Sequence, residues 1–174
     1  AALLDSLTED VDVLFLCNPN NPTGRPVDAT VMDRALEHCR EKRIRMVVDE
    51  CFLELTDGGP GLGLAHRIEE FPNMLLLRAF TKSYAMPGLR LGYCLTADAS
   101  LMERLKLCAQ PWSVSGPAQA AGLAAIGEPD WPAKARSAVA VERPALETGL
   151  RELGCTVYPS WTNYLLFRVP GVSD

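Results

Sequence analysis

The sequence has few of the residues on which several common functions depend. It contains only two histidines, His38 and His66, and its six cysteines form no CxxC pair, so a zinc or iron ion would need scattered ligands. No apolar run approaches the roughly 18 residues that cross a bilayer. The net charge of -5 weakens attraction to a phosphate backbone. We therefore expect no metal, no membrane association and no nucleic-acid partner.

The remaining composition is that of an ordinary globular protein. The 174 residues are 48% hydrophobic and 22% charged, and a chain of this length can bury one sizeable core. The cysteines are spread widely and lie mostly in apolar stretches, which favours a reducing, cytoplasmic setting. The chain begins at Ala1 rather than methionine and stops soon after a strand-like run. We expect both ends to be boundaries within a longer protein.

Short apolar runs alternate with segments of helical spacing. The run VDVLFLC at residues 11–17, for example, is bounded by turn residues and is typical of a strand buried on both faces. Strands are predicted at residues 11–17, 44–48, 74–80, 89–95, 155–158 and 164–169, and helices at 30–43, 64–71, 99–108, 116–126 and 133–153. Asp28 or Thr30 can cap the first long helix, and Pro144 can interrupt the last. This order predicts an α/β fold with a mostly parallel sheet and, from about residue 131, a second, smaller domain.

Polar residues follow three of the predicted strands, where parallel strands present their carboxyl ends to a ligand. The first strand runs into Asn18, the second into Asp49, and the third into Thr81 and Lys82. Among four lysines only Lys82 directly follows a strand. Burial there would lower the pKa of its amine and make it a better nucleophile for an aldehyde. The alternative is a lysine that simply extends into solvent.

Two further charged residues permit more than one interpretation. Asp49 can keep a proton on a pyridine nitrogen, which such a ring needs in order to withdraw electrons, or it can merely cap a turn. Arg90 stands between Gly88 and Gly92, which leave room for a phosphate, although an ion-paired surface arginine is the simpler interpretation. The segment DGGPGLG lacks the spacing of nucleotide-binding loops, and we interpret it as a flexible connection.

In this order, the segments CNPNNPTG, VVDECF and AFTKSYAMPGLRLGY resemble the signature series of the fold type I pyridoxal-phosphate enzymes, the class I/II aminotransferase superfamily. The resemblance covers almost the whole chain. It implies an aspartate-aminotransferase-like three-layer α/β/α large domain at residues 1–130 and the beginning of a small C-terminal α+β domain at residues 131–174. It also implies pyridoxal 5'-phosphate as the cofactor and a homodimer as the assembly.

The resemblance further implies a role for each candidate residue. Lys82 forms the Schiff base with the cofactor, and Asp49 pairs with the ring nitrogen, so these two are the expected catalytic residues. Asn21 binds the phenolic oxygen of the cofactor. Arg90 binds its phosphate with help from Thr81.

Two positions depart from the pattern of many relatives. Phe52 stands where many carry a tyrosine that also bonds the phenolic oxygen, and Ala79 stands where many carry a phosphate-binding serine or threonine. Each departure removes one hydrogen bond, typically worth about 1 kcal/mol. We expect altered affinity for the cofactor rather than loss of the Schiff base.

Within the superfamily the chain resembles the branch shared by histidinol-phosphate aminotransferases and the threonine-phosphate decarboxylases of cobalamin synthesis. The segments DECFLEL, QPWSVSGPAQ and NYLLFR favour the decarboxylase, whereas an aminotransferase or a non-catalytic module are the alternatives. In both enzymes the substrate is a small amino-acid or amine phosphate. The glycine-rich phosphate loop and the carboxylate-binding arginine of relatives have no counterpart here, so we expect the isolated chain to be inactive.

Overall fold

A four-stranded sheet forms the centre of the protein, which is represented by a computed structural model that describes residues 2–172. Its strands are β1 (Val13–Cys17), β2 (Arg45–Asp49), β3 (Met74–Ala79) and β4 (Gly92–Leu95), in that spatial order. The first three strands are parallel, and β4 runs antiparallel to β3. The predicted α/β class with a mostly parallel sheet is therefore confirmed.

Helices connect and flank these strands. They are α1 (Ala2–Asp5), α2 (Ala29–Glu41), α3 (Phe80–Ser83), α4 (Ala99–Cys108), α5 (Gly116–Ile126) and α6 (Trp131–Glu152), with 3₁₀ turns at Leu53–Leu55, Gly59–Leu62, Ala65–Arg67 and Pro87–Leu89. None of the helices in the described part is both long enough and apolar enough to cross a membrane.

The sequence located most elements but misjudged several details. The helix predicted at residues 64–71 is only the 3₁₀ turn Ala65–Arg67, because Pro72 disfavours helical geometry in the residue before it. The DGGPGLG segment, interpreted as a flexible connection, contains a 3₁₀ turn that left-handed Gly58 and Gly59 open. Pro144 lies inside α6 without ending it, and the predicted third strand ends at Ala79.

Helix α2 covers one face of the sheet. Its buried residues recur at helical spacing, and they pack on the buried side chains of the strands. The contributors from α2 are Met32, Ala35, Leu36 and Cys39, and those from the sheet are Leu14, Met46, Val48, Met74 and Leu76. The packing of α2 thereby fixes β1, β2 and β3 in register.

Asp28 begins α2 by capping its first turn. Its side chain accepts hydrogen bonds from the backbone N–H groups of Thr30 and Val31, at 3.0 and 3.2 Å. Loss of such a cap typically costs about 1 kcal/mol. We expect Asp28→Ala to lower the free energy of unfolding by that amount in urea titrations, whereas Asp28→Asn, which retains an acceptor, should match the parent. Equal stability of the alanine and asparagine variants would show that the cap contributes nothing.

The outer strand β1 differs from the sequence prediction of a strand buried on both faces. Leu14 points towards α2 and is 9% exposed, but its neighbour Phe15, on the opposite face, is 72% exposed. On that same face, Val47 of β2 and Leu75 of β3 are 4% and 9% exposed. Among these three strands, only the edge strand β1 is therefore exposed on the face opposite α2.

The C-terminal part consists of α6 followed by a small antiparallel pair, β5 (Thr156–Val157) and β6 (Phe167–Arg168). Arg143 of α6 forms an ion pair with Asp57 and donates a hydrogen bond to the carbonyl of Thr162 at 3.1 Å. The helix is thus joined both to the loop after β2 and to the segment between β5 and β6. Residues 173–174, the end of the predicted second domain, and residue 1 lie outside the described residues.

Candidate active site

Three strand ends meet at the carboxyl edge of the sheet. Cys17, the last residue of β1, lies directly opposite Asp49, the last residue of β2, and Asp49 in turn lies opposite Leu77 of β3. The half-buried carboxylate of Asp49 accepts a hydrogen bond from the backbone N–H of Cys51 through Oδ1, at 2.9 Å. Within residues 2–172 no N–H or O–H group donates to its Oδ2, although the thiol of Cys51 lies within hydrogen-bonding range of the carboxylate. The carboxylate is therefore fixed in orientation with one oxygen ready to accept a further donor.

Lys82 follows the end of β3 in the short helix α3. Its amine lies 5.0 Å from the centre of the Phe52 ring, a distance at which a cation is attracted to an aromatic face. The side chain is exposed, so the prediction of a buried amine is wrong for this chain. The residue follows a strand as predicted, but its neighbour is an aromatic face rather than an apolar enclosure.

The thiols of the site show that Asp49 and Lys82 lie close to one spot. Burial, followed by the hydrogen bond and charge of Asp49, raises the pKa of Cys51 to about 12, and the charge of Lys82 acts in the opposite direction. Burial also raises the pKa of Cys17, while the backbone N–H of Asn21 lowers it. Both candidate catalytic groups and the turn after β1 therefore influence the pKa values of these cysteines.

The turn after β1 is shaped by Asn20 and Gly24. The backbone N–H of Asn20 donates to the carbonyl of Arg25 at 2.9 Å, and that of Gly24 donates to the carbonyl of Asn20 at 2.7 Å. Gly24 has a φ of +66°, and a Cβ there would lie 2.0 Å from Oγ of Ser160. Only glycine allows the C-terminal part to approach this turn so closely. The side chain of Asn21, in the middle of the turn, is exposed.

Tyr164 brings the C-terminal part into the site, which sequence reasoning did not foresee. Its hydroxyl donates to the carbonyl of Asn20 at 3.1 Å, and its ring meets that of Phe52 edge to face at 4.9 Å. Burial raises the pKa of the hydroxyl, with smaller contributions from the charges of Cys17 and Asp49. The only signal in the sequence was one hydroxyl-bearing residue in the apolar run NYLLFR.

The hydroxyl of Tyr164 should contribute measurably to stability. Tyr164→Phe keeps the ring contact with Phe52 but leaves the carbonyl of Asn20 without this donor, so we expect a loss of about 1 kcal/mol in the free energy of unfolding. Tyr158→Phe, at a side chain that is 45% exposed, is the matched control and should change stability by less than about 0.5 kcal/mol. Urea denaturation measures both, and equal effects would contradict the assigned bond.

Arg90 lies two residues before β4, and Thr81 is the second residue of α3. The guanidinium of Arg90 is exposed and donates to the carbonyl of Pro87 at 3.0 Å, and no carboxylate pairs with it in the described chain. The interpretation of Arg90 as an ion-paired surface residue is therefore wrong there. Thr81 Oγ1 lies 3.5 Å from the carbonyl of Leu91, the residue after Arg90. Most N–H donors of Arg90 remain available to an anion.

Together these groups fit a phosphorylated pyridine aldehyde. Asp49 offers an oriented acceptor for a ring N–H, Lys82 an exposed amine, and Arg90 an exposed guanidinium. The two departures remain visible, because neither Phe52 nor Ala79 offers a side-chain hydrogen-bond donor. Residues 2–172 contain no group of three or more His, Cys, Asp or Glu side chains placed to hold a metal ion.

A large cavity of the described chain lies elsewhere. It encloses about 910 Å³ beside α3, α5 and α6, and its lining includes Glu50, Arg78 and Tyr84. None of Asn21, Asp49, Thr81, Lys82 and Arg90 lines it. The candidate residues therefore do not open into this cavity, although Phe80 and Ser83, on either side of Thr81 and Lys82, line it.

Comparison with known proteins gives a consistent result. The family model of aminotransferase class I and II matches residues 1–173. The chain is 36% identical over 168 residues to the threonine-phosphate decarboxylase of Salmonella typhimurium, covering 96% of this chain and 46% of that protein. It is 38% identical over 172 residues to a histidinol-phosphate aminotransferase of Anaeromyxobacter, covering 98% and 46%.

The fold agrees with these matches. The structure superposes on the histidinol-phosphate aminotransferase of Clostridium acetobutylicum with a TM-score of 0.86 at 27% sequence identity, covering 94% of this chain and 49% of that one. The predicted aspartate-aminotransferase-like architecture is thus confirmed. The chain spans about half the length of the relatives that it matches.

Proposed function

The chain belongs to the aminotransferase class I and II family, and from this premise we propose that it is the cofactor-binding part of a threonine-phosphate decarboxylase. Members of this family are enzymes that use pyridoxal 5'-phosphate, either as aminotransferases or as decarboxylases. Their substrates include amino-acid phosphates. The precise reaction and the roles of individual residues belong to the proposal.

The proposal gives each site residue one task. Lys82 supplies the amine that holds the cofactor covalently and, when released, moves the proton at the substrate's alpha carbon. Asp49 holds a proton on the ring nitrogen through its open Oδ2, while Cys51 keeps Oδ1 in place. Asn21 orients the ring at its phenolic oxygen, and Arg90 binds the phosphate with Thr81. When bound, pyridoxal phosphate supplies an electron sink for the substrate's alpha carbon.

One observation carries this proposal. The carboxylate of Asp49 is held through Oδ1 by the backbone N–H of Cys51, and the amine of Lys82 lies 5.0 Å from the ring of the next residue, Phe52. A turn cap alone would require only the first of these features. The non-catalytic module has no use for an oriented acceptor, an exposed amine and an uncommitted guanidinium at one edge of a sheet.

A histidinol-phosphate aminotransferase is the second candidate. It is favoured by the superposition on the Clostridium acetobutylicum enzyme, whereas the segments DECFLEL, QPWSVSGPAQ and NYLLFR favour the decarboxylase. The two reactions differ in which bond to the alpha carbon breaks. If the chain is part of the decarboxylase, we propose cobalamin synthesis as its pathway, because the threonine-phosphate decarboxylases that the sequence resembles belong to that pathway.

Product analysis separates the two candidates. The full-length protein, supplied with pyridoxal phosphate, is incubated with threonine phosphate in one reaction and with histidinol phosphate plus 2-oxoglutarate in another. Release of carbon dioxide in the first supports the decarboxylase, and glutamate formed in the second supports the aminotransferase. If neither product forms, both candidate functions are contradicted. We expect no turnover by the 174-residue chain alone, since it spans about half of its relatives.

The wider context is part of the same proposal. We propose that residues 1–130 belong to the large cofactor-binding domain and residues 131–174 to a small C-terminal domain, since α6 begins at Trp131. We also propose a homodimer in the cytoplasm. All six cysteines are unpaired in the described structure, as a reducing compartment requires.

A further inference from the structure

A buried ion pair joins the end of β2, which carries Asp49, to the end of β3, which Lys82 follows. Glu50, whose side chain is fully buried, accepts hydrogen bonds from Nε and Nη2 of Arg78 at 2.9 and 2.7 Å. Its other oxygen accepts from the backbone N–H of Leu64 at 2.8 Å. Both carboxylate oxygens are therefore satisfied, and two donors of the guanidinium converge on one of them, Oε2.

The position of this pair is specific. Glu50 directly follows Asp49 at the end of β2, and Arg78 precedes Lys82 by four residues near the end of β3. The backbone N–H of Glu50 donates to the carbonyl of Leu77 at 2.9 Å, the last rung that joins these two ends. The side-chain pair therefore continues the connection between β2 and β3 beyond the backbone hydrogen bonds.

Overall stability does not explain why charges occupy this place. Removing two ions from water is costly, and well-packed apolar residues in place of a buried pair are often as stabilising or more so. A pair with fixed geometry can instead determine one alignment of the segments that carry it. Here one segment carries Asp49 at the end of β2, and the other leads into Lys82, whose amine lies 5.0 Å from the centre of the Phe52 ring, three residues after Asp49.

We propose that Glu50 and Arg78 are positioning residues that set the carboxylate of Asp49 and the amine of Lys82 at the separation that the cofactor requires. Neither residue lies among those that hold the cofactor, and both line the cavity beside α3. The inference rests on the proposed function, because it assigns the pair a role only through Asp49 and Lys82.

The test removes both charges together so that neither is left buried without the other, while Glu54, 4.0 Å from Nη1 of Arg78, remains partly exposed to water. In the full-length protein, Glu50→Gln combined with Arg78→Met is compared with Arg45→Met combined with Asp98→Asn. The control removes a partly buried pair of 2.8 Å at the opposite end of β2, and asparagine can still cap α4 there. Thermal unfolding, the dissociation constant of pyridoxal phosphate and the visible circular dichroism of the bound cofactor are measured for each.

We expect the Glu50/Arg78 variant to bind pyridoxal phosphate about tenfold more weakly, as coupling between neighbouring groups implies, and to lose more than about half of its visible circular dichroism. The control should remain within about twofold of the parent in both. Arg78→Lys keeps the charge but loses the fixed pair of guanidinium donors, so it should give an intermediate signal. If the double variant does not fold, Arg78→Lys alone decides.

Two results would overturn the inference. One is a Glu50/Arg78 variant whose affinity and dichroism match those of the control, and the other is an Arg78→Lys variant identical to the parent. Both outcomes leave the proposed function intact, because the parent still binds the cofactor. A parent protein that does not bind pyridoxal phosphate would instead contradict the proposed function itself.

Discussion

Lys82→Ala is expected to abolish the covalent link between the protein and pyridoxal phosphate. In the parent, borohydride reduction after mixing with the cofactor should leave one pyridoxyl group on the peptide that contains Lys82. No other lysine follows a strand of the sheet, and the remaining three, Lys42, Lys106 and Lys134, are exposed residues on or next to helices. Alanine leaves no amine at this edge, so we expect both the adduct and the visible band of bound cofactor to vanish.

The matched control for this experiment is Lys134→Ala, in the first turns of α6. That side chain is exposed and lies outside the candidate site, so the variant should form the adduct as the parent does. Peptide mass spectrometry after reduction locates the modified residue. A stable adduct on another lysine in the Lys82→Ala protein would show that the amine has been assigned to the wrong residue.

Asp49→Asn should have the second largest effect, a loss of about 100- to 1000-fold in turnover, as is typical when a preorganised electrostatic group is removed. The amide oxygen can still accept from the backbone N–H of Cys51, so the fold should be preserved. The amide cannot hold a proton on the ring nitrogen as a carboxylate does. The cofactor should therefore still bind, but the electron withdrawal that drives the reaction should be weakened.

Asp12→Asn provides the control for the carboxylate. This exposed residue precedes β1 at the opposite end of the sheet, and its replacement removes the same charge from the protein. We expect its turnover to equal that of the parent in steady-state assays on the full-length protein. Asp49→Asn turnover within about threefold of the parent would exclude Asp49 as the partner of the ring nitrogen.

The positions of Asn21, Asp49 and Lys82 could be predicted because local sequence determines them. Each follows an apolar run that ends in residues suited to turns, and the ends of parallel strands share one edge of a sheet. In the structure Asp49 ends β2, Asn21 lies in the turn after β1, and Lys82 lies in α3 just after β3. Their roles with the cofactor stay predictions that the experiments above test.

The parts that could not be predicted depend on contacts between distant segments. Tyr164 bonds to Asn20 across 144 positions in the chain, and no local pattern indicates such a partner. The exposure of Lys82 likewise depends on which segments cover α3. The charge within the run MLLLRAF was the one local clue to the pair of Glu50 and Arg78, because an arginine in a buried strand needs a counterion.

The edge position of β1 also has consequences for handling the protein. Phe15 is 72% exposed on an outer strand, and a strand with an uncovered aromatic side chain can serve as a template for pairing with another chain. The mean hydrodynamic radius of the 174-residue chain should consequently increase as the protein is concentrated, which dynamic light scattering measures. A charged residue on this strand, as in Phe15→Lys, should suppress this self-association while leaving Leu14 and the packing against α2 unchanged.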